Sequence, residues 1–81
     1  MKQNEPATGG EIMLNAQNIG EIAGMVWDFL RTKGKSSLNA VERGIKAPKP
    51  LVDMAIGWLA REGKVELRQE KRSIQVWLTE G

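Results

Sequence analysis

Ser37-Leu-Asn-Ala-Val-Glu-Arg-Gly44, Ile45-Lys-Ala-Pro-Lys-Pro50, Leu51-Val-Asp-Met-Ala-Ile-Gly-Trp-Leu-Ala-Arg-Glu-Gly63 and the stretch from Val65 to Leu78 decide the fold. The first segment reads as a short helix. Ser37 is a good N-cap, Leu38, Val41 and Ile45 recur at helical spacing, and Gly44 ends the helix after barely two turns. Pro48 and Pro50 forbid one continuous helix across the second segment, because each lacks an amide donor and crowds the preceding turn. Both suit the first turn of a following helix. That helix buries Val52, Ala55, Ile56 and Leu59 in one row and closes at Gly63. Beyond it, Val65 and Leu67 alternate with Glu66 and Arg68, and Ile74, Val76 and Leu78 alternate with Gln75, Trp77 and Thr79. Period two on both sides of the charged tip Glu70-Lys-Arg-Ser73 predicts a β-hairpin.

Upstream, a longer helix is predicted to begin at Asn18, with Glu21 completing a capping box. Ile19, Ile22, Ala23, Val26, Phe29 and Leu30 form its buried stripe, and Met25 and Trp27 lie beside it. Arg31 and Lys33 suit its last turn and Gly34 its C-cap. Residues 1–14 have tail composition and are expected to be weakly ordered, with Glu11-Ile-Met-Leu14 of ambiguous type.

With 81 residues the chain makes one domain. A domain of this size buries only about 60% of its unfolded surface, so it needs a well-filled core or a partner chain. No run approaches the roughly 20 apolar residues of a membrane span, and the amino terminus lacks the apolar stretch of a secretory signal. The absence of cysteine removes disulfides and fits a reducing cytoplasm, the expected location. The formal charge is only +2, but ten of the twelve Lys and Arg and five of the ten acids fall between Lys33 and Arg72. The segment that folds is therefore mildly basic and compatible with a polyanion.

Three helices, the hairpin, and the segments Leu59-Ala-Arg-Glu-Gly-Lys-Val65 and Trp77-Leu-Thr-Glu-Gly81 resemble the winged helix-turn-helix superfamily of bacterial regulators. The likeness is greatest to a family of small, uncharacterised bacterial winged-helix proteins and covers about residues 15–81. The fold expected is α+β: three helices followed by a two-stranded β-hairpin wing. The resemblance implies a DNA-binding domain of transcriptional-regulator type whose third helix enters the major groove. There Arg, Lys, Asn and Gln read base edges because they present donors in matching pairs.

The exposed positions of that helix are Lys49, Asp53, Met54, Gly57, Trp58 and Arg61. Lys49 and Arg61 alone have base-reading chemistry, and Arg61 lies at the far end. Phosphate contacts are better supplied, by Lys46 and Lys49 at the turn and by Arg68, Lys71 and Arg72 on the wing. A bland alternative makes the charged tip a solvated turn. The tryptophans form a second constellation. Met54 and Trp58, four residues apart, share an exposed helix face, and Trp77 points outward from its strand. Tryptophan suits interfaces by joining a large apolar area to one donor, although each could instead complete the rim of a small core.

Lacking His and Cys, the chain lacks the usual zinc ligands and the common nucleophile–base pairs. Gly9-Gly10 has no following Gly-Lys-Ser, and the carboxylates Asp28, Glu42, Asp53 and Glu62 lie on helix surfaces. No enzyme activity, metal or cofactor is expected. Two readings stay open. One is a DNA-binding, homodimeric domain that uses Lys46, Lys49, Arg68, Lys71 and Arg72. The other is an interaction or homodimerisation module, without DNA binding, that uses Met54, Trp58 and Trp77.

Overall fold

The computed structural model describes residues 14–79. The expected tail, residues 1–14, lies outside this range apart from Leu14, which is half exposed and without regular structure. The element order is α1 (Ala16–Lys33), β1 (Ser36–Ser37), α2 (Leu38–Gly44), α3 (Lys49–Arg61), β2 (Val65–Glu70) and β3 (Ser73–Leu78). This is the expected three helices and hairpin, with one strand added. β1 pairs antiparallel with β3, Ser36 opposite Val76 and Ser37 opposite Gln75, so the sheet order is β1-β3-β2. Two serines carry no apolar alternation, which is why β1 is silent in the sequence.

Local chemistry sets the boundaries. The N-cap of α1 lies three residues before the predicted Asn18. Asn15 is the N-cap, and its side chain accepts the Asn18 amide at 2.9 Å. Ala16 and Gln17 are good helix formers, so nothing stops the helix from extending back to the earlier cap. Glu21 then completes no capping box and instead accepts a long contact from the Gln17 amide group at 3.5 Å. Gly34 ends α1 with φ 81°, its amide donating to the Leu30 carbonyl. The Ser37 hydroxyl caps α2 by accepting from the Ala40 amide at 3.1 Å. After α3, the Gly63 amide donates to the Ala60 carbonyl and the Lys64 amide to the Leu59 carbonyl, with Gly63 at φ 77°. This is a Schellman ending, and glycine supplies its left-handed residue without strain. Thr79 then fastens the end of β3 to this corner through the Gly63 and Lys64 carbonyls.

The core joins Ala23, Val26 and Leu30 of α1 to Val41, Ile45, Val52, Ala55, Ile56 and Leu59, and is roofed by Val65 and Val76 of the sheet. The whole predicted row of α3 is buried, and Leu51 is buried beside it. Leu67 departs from its alternation. It shares a sheet face with Val65 but is 40% exposed, against 2% for Val65. Its cross-strand neighbour Val76 is fully buried on the central strand, so at this register the core covers the middle of the sheet but not its edge strand β2. The tip is a two-residue turn, Lys71-Arg72, in which Lys71 takes φ 53°. A positive φ at the first turn residue matches the twist of paired strands.

Gly44 makes a close approach that only glycine tolerates. A Cβ there would overlap the edge of the Phe29 ring, half buried between α1 and α2. Gly44→Ala is therefore expected to destabilise the domain by about 1–3 kcal/mol, the usual cost of overpacking. Urea denaturation measures it, and restoration of most of the loss by Phe29→Leu would identify the ring as the obstacle.

Candidate nucleic-acid interface

The turn Ile45–Pro50 is braced by its own backbone. The Ala47 amide donates to the Ile45 carbonyl and the Leu51 amide to the Pro48 carbonyl, both at 2.9 Å. Ile45 is buried, and Lys46 and Lys49 are exposed on either side of Pro48. Lys46 lines a shallow groove with Met25, Phe29, Thr32 and Lys33, against the carboxyl end of α1. Lys49 begins α3, where its ammonium lies 3.7 Å from the Glu42 carboxylate on α2.

Glu42 and Asp53 are close enough to share a hydrogen bond. That contact, then burial, then the Asp53 charge raise the Glu42 carboxyl above its ordinary range, while Lys49 opposes the shift. The sequence separates these three residues by up to eleven positions and gives no hint that they meet. Their meeting means that Lys49 is already paired, and that Glu42 of α2 and Asp53 of α3 set two carboxylates beside one ammonium.

On the wing, Arg68 and Trp77 share the outer sheet face with Glu66, Glu70, Ser73 and Gln75. The Arg68 guanidinium lies 6.0 Å from the centre of the Trp77 ring, and the Lys35 ammonium 5.2 Å. Lys35, to which no sequence signal points, also pairs with Glu70 at 3.6 Å. Arg72 lines a small polar groove between the tip and the start of α2, with Ser37, Asn39, Gln69 and Ser73. Lys71 is exposed at the tip. Among the described residues, no carboxylate lies within ion-pair distance of Lys46, Arg68, Lys71 or Arg72.

Met54 and Trp58 are 43% and 39% exposed on α3. Trp58 borders a shallow groove with Arg61 and Glu62. Trp77 lies apart from them, half buried on the sheet with its two cations. Trp27 is exposed on α1, with Arg31 stacked on its ring at 5.1 Å. Among the described residues no group of three or more metal-ligating side chains forms, and no helix is long and apolar enough to cross a membrane.

Known structures share this architecture. The Zalpha domain of Carassius auratus PKZ, solved in complex with Z-DNA, superposes with a TM-score of 0.65 at 26% identity, over 75% of this chain and 97% of that one. A structure of the DNA recognition and protein interaction domains of HOP2 superposes with a TM-score of 0.63 at 19% identity, over 72% of this chain and 98% of that one. AF1382 of Archaeoglobus fulgidus gives 0.59 at 18% identity, over 82% of this chain and 72% of that one. The last two likenesses speak to the fold alone. An uncharacterised protein of Methanocaldococcus jannaschii is 40% identical over 58 residues, which are 67% of this chain and 81% of that protein. Residues 13–78 match the family described as Winged helix-turn-helix domain (DUF2582), and the chain belongs to that family.

Proposed function

We propose that the chain binds double-stranded DNA, chiefly through phosphates, with the turn before α3 and the wing as its contact surfaces. The observation that carries this reading is the distribution of charge. Lys46, Arg68, Lys71 and Arg72 have no carboxylate partner among the described residues, whereas α3 exposes Asp53, Met54, Gly57 and Trp58. Such a surface can neutralise a backbone but has few paired donors for base edges. The Zalpha likeness supports a DNA partner and makes a left-handed duplex a sensible second probe.

The test is fluorescence anisotropy with a labelled B-form duplex and a left-handed alternating CG duplex, at about 50 and 200 mM salt. Binding at the lower salt that weakens at the higher supports the reading. Absence of binding to either duplex at the lower salt overturns it.

Exposure of Met54 and Trp58 on one face of α3 favours a second reading, association through that face with another copy of the chain or with another protein. Under it, Trp58→Ala converts a dimer to a monomer in sedimentation, with a loss of at least about 2 kcal/mol for a residue at the centre of an interface. A wild-type chain that sediments as a monomer at high concentration removes self-association.

A further inference from the structure

We propose that Glu42, with Asp53 beside it, forms a proton-operated gate on Lys49, so that duplex binding is coupled to proton uptake at Glu42. The proposal rests on the DNA-binding reading and assigns a regulation to the same surface.

Geometry makes the gate. Lys49 and Asp53 are one helical turn apart on α3, and Glu42 reaches them from α2. The Glu42 side chain is 7% exposed and that of Lys49 is 67% exposed, so the carboxylate is the fixed partner and the ammonium the mobile one. With both acids ionised the cluster has a net charge of −1, at the start of the helix that a winged helix presents to a duplex. A phosphate approaching Lys49 must draw the ammonium from Glu42 and also face Asp53. One proton on Glu42 leaves Lys49 available and makes the cluster neutral.

The forces on Glu42 favour that proton. Protonated Glu42 donates to the Asp53 carboxylate, and that contact, then burial, then the Asp53 charge raise its carboxyl, while Lys49 alone opposes them. These charged groups all belong to α3. Among the described residues, α1, β1 and β3, which also lie against α2, add none to the forces acting on it. The composition keeps the signal uncluttered. The chain has no His and no Cys, so no side chain of ordinary pKa titrates between about pH 5.5 and 7.5.

The sign follows from the raised value. Protonation in the folded chain contributes stability that is fully present below the unfolded pKa and is lost as pH rises through the folded one. Glu42→Gln, which keeps the shape and removes the charge, is therefore expected to raise the melting midpoint at pH 7.5 by about 2–4 °C and to lose that advantage in acid.

The experiment is anisotropy with the labelled B-form duplex at about 50 mM salt from pH 7.5 down to the ordinary glutamate pKa of about 4.5. The wild-type chain is expected to bind roughly 3- to 10-fold more tightly at the acid end, as one charge is removed from a partly screened surface. Glu42→Gln is expected to bind at pH 7.5 about as tightly as the wild-type chain does in acid, with little remaining pH dependence. Lys49→Ala is expected to lose most of the pH dependence as well, since the gate then has nothing to release. Wild-type binding that does not change with pH, or full pH dependence retained in Glu42→Gln, overturns the gate and leaves the DNA-binding reading standing. No binding by the wild-type chain or Glu42→Gln at any pH overturns both.

Discussion

Ile56→Ala is expected to lower the stability of the domain by about 3–5 kcal/mol. A domain of 81 residues holds only about 4–12 kcal/mol in total, so the variant should be partly unfolded at room temperature. Ile56 is among the largest fully buried side chains, on the third helix, whose contact with the first is the most extensive between helices. Truncation leaves a cavity that neighbours on regular elements cannot easily close. Leu67→Ala provides the contrast. Although Leu67 follows the same alternation as Val65, it is 40% exposed, and its loss should cost no more than about 1 kcal/mol. Urea denaturation of both variants decides the matter, and equal costs would contradict a core that ends at Val65 and Val76.

The second large effect concerns the wing. Replacing Lys71 and Arg72 together with Ala is expected to weaken duplex binding by roughly tenfold at about 50 mM salt, and to reduce the slope of log affinity against log salt by up to about 1.8. The fold should be indifferent to the change. Lys71 already holds φ 53°, and alanine in its place meets the same backbone cost. A melting midpoint equal to that of the wild-type chain checks this, and unchanged affinity would place the contact surface elsewhere.

Most of the architecture is legible in the sequence because its signals agree with one another. Serine and glycine mark the ends of α2, the prolines before α3 break the chain where two helices must turn, and period two on either side of Lys71-Arg72 can only be a hairpin. The failures have local causes. Asn15 and Asn18 are both competent caps, and which one acts depends on whether Ala16 and Gln17 join the helix. Two serines cannot announce a strand, and alternation cannot say which strand lies at the sheet edge, which is why Leu67 misleads.

The site is less legible than the fold. The chemistry of Lys49 is plain in the sequence, but its pairing with Glu42, and the contact of Glu42 with Asp53, exist only after the two helices fold against each other. The same holds for Lys35, which reaches Trp77 and Glu70 only because β1 pairs with β3.

On the proposed reading, this winged helix holds the DNA backbone rather than reading bases. The most direct measurement is a salt series of anisotropy titrations with two duplexes of equal length and unrelated sequence. The expected result is affinities within about threefold of each other and a common slope near −3 to −4, as about four phosphate contacts require. A hundredfold preference for one sequence, or no binding at the lowest salt, would contradict it.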